Sequence, residues 1–128
     1  MSYKIEYNHK GKISGRFELP ASKSISNRVL IINALSGSDK SVANLAKCDD
    51  TDVMVKALTS DSHLVDIGAA GTSMRFLTAY LSIQPGEWTI TGSQRMKERP
   101  IQILVDALRS IGADIEYAEN EGFPPLKI

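Results

Sequence analysis

The sequence predicts an α/β protein built from repeated strand–turn–helix units. Short runs with strand character lead into turns rich in proline, glycine or serine, and longer runs with helical periodicity follow. In addition, the segment Val55–Leu58 is echoed by Val105–Leu108 fifty residues further on. A repeat of this size indicates two similar supersecondary units that stack on one another.

Composition limits the possible functions. The 128 residues are 42% hydrophobic, which is enough for one domain with its own core. Fifteen basic and fifteen acidic residues balance, so an anion site must be a local cluster, and a general nucleic-acid binder is not expected. The single Cys48 excludes an internal disulfide and favours the cytoplasm. No apolar run approaches membrane-spanning length, and neither His9 nor His63 has a metal-ligand spacing.

The first half of the chain predicts three strands and two helices. The predicted strands are Tyr3–Tyr7, Lys12–Leu19 and Ser41–Leu45, with a turn at Asn8–Gly11 between the first two. The predicted helices run from about Ser24 to Leu35 and from Asp49 through Leu58. Ser22 or Ser24 can cap the first helix, and Asp50 or Thr51 the second. The acids that open the second helix suit its positive end, and a magnesium site is their functional alternative.

The second half repeats the pattern and adds a terminal strand pair. The predicted strands are His63–Ile67, Glu87–Thr91, Ile115–Tyr117 and Leu126–Ile128. One predicted helix follows the glycine turn at 68–71 and includes the apolar run Phe76–Ile83, and another begins at Pro100 and ends near Ser110. We therefore expect leading strands over 1–19, a first unit over 20–62 and a second over 63–128. The first unit is shortened, because Thr59–Ser62 leaves no room for a strand pair.

Cations and small polar residues cluster at three of the predicted helix starts. The clusters are Lys23/Ser24/Arg28, Gly71/Thr72/Arg75 and Arg95–Arg99. A helix start offers unpaired N–H groups and partial positive charge, and guanidinium, ammonium and hydroxyl groups complete a site for phosphate or carboxylate. If the units pack in parallel, the three clusters share one cleft. The alternative is a set of separately solvated cations.

Four motifs carry a resemblance to a known family. They are Leu-Pro-Ala-Ser-Lys-Ser-Ile-Ser-Asn-Arg at 19–28, Gly-Ala-Ala-Gly-Thr-Ser-Met-Arg at 68–75, Arg-Met-Lys-Glu-Arg-Pro-Ile at 95–101 and Glu-Asn-Glu-Gly-Phe-Pro-Pro-Leu at 119–126. Together they resemble the 5-enolpyruvylshikimate-3-phosphate synthase family, from about Arg16 to the last residue. The related UDP-N-acetylglucosamine enolpyruvyl transferases have a different lysine–asparagine motif at the first cluster.

The resemblance implies the enolpyruvyl transferase fold, with two domains of three βαβαββ units each. This chain would be an N-terminal part of the first domain, and its leading strand would pair with the other domain. The implied reaction transfers the carboxyvinyl group of phosphoenolpyruvate to the 5-hydroxyl of shikimate 3-phosphate, in the shikimate pathway to chorismate and aromatic amino acids. No metal or organic cofactor is implied, and the full-length enzyme would be a monomer. The alternative is a non-catalytic anion-binding module of the same fold.

The resemblance also implies roles for individual residues. Ser24 and Arg28 would bind shikimate 3-phosphate, Gly71 and Arg99 would bind phosphoenolpyruvate, and Lys23 would lie between the substrates and contact both. Two paired hydrogen bonds from a guanidinium suit a phosphate or carboxylate.

Other positions complete this expectation. Arg75 would support the part of the site that binds phosphoenolpyruvate, without contacting the substrate itself. No catalytic acid–base residue is expected within residues 1–128, so this chain alone is expected to be inactive. Ala69 stands where the family usually has an asparagine, so a side-chain amide contact is lost in the part of the site that binds phosphoenolpyruvate.

Overall fold

A computed structural model describes residues 3, 4, 6, 11 and 14–128. Its elements are α1 (Lys23–Leu35), α2 (Asp49–Thr59), β1 (Leu64–Asp66), α3 (Gly71–Leu81), β2 (Thr89–Thr91), α4 (Gln94–Lys97), α5 (Gln102–Ser110), β3 (Glu116–Tyr117) and β4 (Leu126–Lys127). The predicted strand at Tyr3–Tyr7 and the turn at Asn8–Gly11 lie largely outside the described residues. Residues 14–19, the described part of the second predicted strand, are exposed and form no strand.

The strands form one mixed sheet in the order β1–β2–β4–β3. β1 and β2 are parallel, with Val65 opposite Ile90. β4 runs antiparallel to both of its neighbours, so that Leu126 faces Ile90 on one side and Tyr117 on the other. Since α3 connects β1 to β2, and α4 and α5 precede the last strand pair, residues 64–128 have the order βαβααββ, which differs from the predicted βαβαββ order by the short helix α4.

The core lies where the helices meet this sheet. Met54 of α2, Met74 and Leu77 of α3, Ile90 of β2 and Val105 of α5 are each at most 1% exposed. Burial of one such side chain contributes roughly 1.5–3 kcal/mol. α1 packs on both α2 and α3, and these contacts fix the relative positions of three helix starts.

The helix caps agree with the prediction at α1 and differ at α2. Ser22 caps α1, and its hydroxyl accepts a hydrogen bond from an amide of the first turn. The N-cap of α2 is Cys48, without a side-chain capping bond, so the expectation of Asp50 or Thr51 was wrong. Both residues lie inside the first turn instead, and the Thr51 hydroxyl donates to Asn27 Oδ1 at 3.0 Å, which joins α2 to α1.

The strand predicted at Ser41–Leu45 was also wrong. Asn44 has φ of 54°, a left-handed conformation that interrupts an extended segment. The next buried amide, Ala46 N, donates to Ser26 Oγ at 2.9 Å and not to a neighbouring strand. Within the described residues 14–62, regular structure is therefore confined to α1 and α2. The short helix α4 was not predicted.

The end of α5 is anchored to the strand pair through one arginine. Arg109 Nε donates to the Ile115 carbonyl at 2.8 Å, and its guanidinium lies 5.0 Å from the centre of the Tyr117 ring. Burial raises the pKa of the Tyr117 hydroxyl above its ordinary value. These contacts join the end of α5 to the segment that contains β3.

Candidate anion-binding site

Two residues of the first predicted cluster, Ser24 and Arg28, lie on one face at the start of α1. Arg28 is one helical turn after Ser24, and its Nη1 donates to the Ser24 carbonyl at 2.9 Å. The Arg28 guanidinium also lies 5.7 Å from the centre of the Phe76 ring on α3, within cation–π range. Two contacts therefore set its direction, while the Ser24 side chain remains exposed.

Lys23 points towards the start of α2. Its Nζ lies 3.3 Å from Asp50 Oδ1, and the backbone carbonyl of Asp50 accepts a hydrogen bond from Ser73 Oγ at 3.0 Å. Because Lys23, Asp50 and Ser73 belong to the first turns of α1, α2 and α3, this chain of contacts brings three helix starts together. Their partial positive charges therefore act on a common region.

The second and third predicted clusters meet directly. The guanidinium of Arg99 lies against Gly71, so that a Cβ built there would be 2.9 Å from Arg99 Cζ and 3.1 Å from Nη2. Arg75 joins the same two segments through their backbones. Its Nη1 donates to the Gly71 carbonyl at 3.2 Å, and its Nη2 donates to the Pro100 carbonyl at 3.1 Å.

An open cavity of about 500 Å³ lies beside this junction. Its lining consists of Ala69, Ser93, Arg95, Met96 and Arg99. Lys97 turns away from the cavity to pair with Glu119 at 2.6 Å. The cavity therefore offers two guanidinium groups, one hydroxyl and no carboxylate, which suits an anion. Among the described residues, no group of three or more His, Cys, Asp or Glu side chains has an arrangement that could hold a metal ion.

The structure thus brings Gly71 and Arg99 together and connects Lys23 to them through α2 and α3. Sequence reasoning did not find the pairing of Asp50 with Lys23 or the contact of Phe76 with Arg28. Asp50 was interpreted as a helix-start acid, and Phe76 as part of an apolar run. No local signal marks partners that lie 27 and 48 residues apart in the chain.

The fold and this region define an α/β protein in which the cation-bearing starts of α1 and α3 are joined through the start of α2. The profile of the family EPSP synthase (3-phosphoshikimate 1-carboxyvinyltransferase) matches residues 7–60 and 59–128. The chain belongs to this family. None of its described helices combines the length and the apolar character needed to cross a membrane.

Two curated relatives show the range of similarity. A 3-phosphoshikimate 1-carboxyvinyltransferase of Bacteroides fragilis is 65% identical over 117 residues, which are 91% of this chain and 28% of the relative. One of Burkholderia multivorans is 45% identical over 138 aligned positions, 90% of this chain and 32% of the relative. This chain therefore spans about a third of the length of the curated relatives that it matches.

Solved structures support the fold alone. A structure of EPSP synthase from Acinetobacter baumannii superposes with a TM-score of 0.74 at 23% sequence identity. The match covers 89% of this chain and 32% of that chain, and a second structure of the enzyme from the same species gives the same TM-score at 24% identity.

Proposed function

We propose that the full-length protein transfers the carboxyvinyl group of phosphoenolpyruvate to the 5-hydroxyl of shikimate 3-phosphate. In this reaction the hydroxyl oxygen forms a bond to the vinyl carbon, the bond from that carbon to the phosphate oxygen breaks, and phosphate leaves with the hydroxyl proton. Family membership supports the proposal. The structural observation that carries it is the Arg99 guanidinium placed against Gly71, beside a helix start and a cavity without carboxylates.

The two substrates use different parts of the region in this proposal. Arg28 and Ser24 bind shikimate 3-phosphate, and the contacts that already hold Arg28 reduce the entropy lost on binding. Arg99 binds phosphoenolpyruvate, and Gly71 lets the ligand approach the start of α3. Lys23 exchanges its contact with Asp50 for contacts to both substrates. Both substrates are anions, so cations and helix starts offset their mutual repulsion.

The chain supplies only part of the active site in this proposal. It forms an N-terminal part of the first domain, with leading strands in 1–19, a shortened first unit over 20–62 and a second unit over 63–128. The two segments matched by the family profile meet at residues 59–60, and four residues connect α2 to β1, which supports a shortening at this point. The acid–base groups and the remaining phosphate ligands lie outside residues 1–128.

The location and assembly of the full-length protein belong to the same proposal. We place it in the cytoplasm as a monomer that binds its small-molecule substrates without a cofactor. The single cysteine supports a reducing compartment.

A comparison of two proteins tests the proposed function. The full-length protein should release phosphate when both phosphoenolpyruvate and shikimate 3-phosphate are present, and neither substrate alone should suffice. The isolated 128-residue chain should release none above background, because the reaction needs both substrates enclosed and oriented next to acid–base groups. A full-length protein that binds both compounds without phosphate release would instead be an anion-binding module.

A further inference from the structure

The cavity beside Arg99 contains a second guanidinium to which the proposed function gives no role. Arg95 lines this cavity together with Arg99, and both side chains are on exposed residues. Met96 between them points into the core, since it is only 2% exposed. Met96 therefore anchors the segment 95–99 in the core, while Arg95 and Arg99 line the cavity.

The other cations of this region are already engaged. Arg75 donates to two backbone carbonyls, and Lys97 pairs with Glu119. In the part of the chain that the structure describes, no hydrogen bond or ion pair holds the side chain of Arg95 or Arg99. Two like charges that share a carboxylate-free cavity repel each other, and a bound anion relieves this repulsion.

We propose that Arg95 is a further substrate-binding residue that acts with Arg99 on phosphoenolpyruvate. This inference rests on the proposed function. Phosphoenolpyruvate carries a phosphate and a carboxylate, so it can engage two guanidiniums at once, and each can form paired hydrogen bonds to one anionic group. Ala69 contributes only a methyl group to the lining, so the polar contacts in this cavity come from the two arginines and Ser93.

Steady-state kinetics of the full-length protein test the role of Arg95. Arg95→Gln should raise the KM for phosphoenolpyruvate by roughly three- to tenfold. This increase is smaller than the one expected for loss of a buried charge-assisted hydrogen bond, because the site is open to solvent. The KM for shikimate 3-phosphate and kcat should stay within about twofold of wild type. Arg95→Lys should lie between wild type and Arg95→Gln, because it keeps the charge but loses the planar pair of donors.

Lys97→Gln is the matched control, since it removes the same charge from the same short helix at a position outside the cavity. It should leave the KM for phosphoenolpyruvate unchanged. The KM of wild type should also rise with salt more steeply than that of Arg95→Gln, which a purely structural role would not cause. An unchanged KM in Arg95→Gln, or an equal rise in Lys97→Gln, overturns this inference while wild-type activity upholds the proposed function. A wild-type protein without transferase activity overturns both.

Discussion

The guanidinium of Arg99 fills the space beside Gly71 that any side chain at position 71 would need. A Cβ there would lie 2.9 Å from Arg99 Cζ, closer than real Cβ contacts. The obstructing atoms are the end of a flexible side chain, so the protein can accept a methyl group by moving Arg99. A substitution at Gly71 should therefore change ligand binding more than folding.

Gly71→Ala in the full-length protein should raise the KM for phosphoenolpyruvate about ten- to a hundredfold. The displaced Arg99 would lose its proposed charge-assisted hydrogen bonds to phosphoenolpyruvate, which are worth roughly 1.5–3 kcal/mol. The KM for shikimate 3-phosphate should change little. Steady-state kinetics with each substrate varied in turn provide the measurement, and an equal loss for both substrates would contradict this placement of Gly71.

Arg28 and Arg99 should serve different substrates. Arg28→Ala should chiefly raise the KM for shikimate 3-phosphate, and Arg99→Ala that for phosphoenolpyruvate, each by about ten- to a hundredfold. Arg99→Lys should restore only part of the loss, because an ammonium cannot form the planar paired contact. The measurement is a matrix of two alanine variants against two substrates. Reversed effects, or equal changes in KM for both variants with both substrates, would show that Arg28 and Arg99 are assigned to the wrong substrates.

Phe76 should support binding through Arg28. Phe76→Leu removes a cation–π contact worth about 0.5–1 kcal/mol, so the KM for shikimate 3-phosphate should rise roughly two- to fivefold, while Phe76→Tyr keeps the ring and should resemble wild type. Tyr80→Leu, one turn further along α3, is the control and should leave this KM unchanged. In an Arg28→Ala background, Phe76→Leu should have no further effect; a full additional loss would exclude action through Arg28.

Gly92→Ala should reduce stability, in contrast to Gly71→Ala. A Cβ at position 92 would lie 2.6 Å from the Gly68 carbonyl oxygen and 3.0 Å from Met96 Cγ. The carbonyl is backbone, already bonded to Ser93 N at 2.8 Å, and cannot move aside freely. We expect a loss of about 1–3 kcal/mol in the free energy of unfolding, measured by urea denaturation with Gly71→Ala as the control. Equal midpoints for the two variants would contradict this.

The second unit could be predicted from the sequence because its signals are local. The predicted strand at His63–Ile67 became β1 at Leu64–Asp66, and the helix expected from Pro100 became α5. The strand at Ser41–Leu45 failed because a strand needs a partner as well as a pattern, and the described first unit provides none. Neither the left-handed backbone at Asn44 nor the hydrogen bond from Ala46 N to Ser26 is visible in the alternation of residue types.

The sequence named candidate residues for the site, but it did not show the contacts between them. The motifs identified Lys23, Gly71 and Arg99, but only the fold shows that Arg99 occupies the space beside Gly71. The pairing of Lys23 with Asp50 could not be anticipated, because acids at a helix start have a sufficient local explanation.

The shallow burial of α1 has a consequence for its response to ligand. In the 128-residue chain, α1 buries only Ser26, Asn27 and Leu30, whereas α3 buries six residues. In this chain α1 should therefore open locally at lower free energy than α3 and exchange its amide hydrogens before those of α3. A ligand that binds only the closed form of this helix shifts its local opening equilibrium towards that form. If α1 binds shikimate 3-phosphate as proposed, this ligand at a hundred times its Kd should add about 2.7 kcal/mol to the opening free energy and slow exchange in α1 roughly a hundredfold.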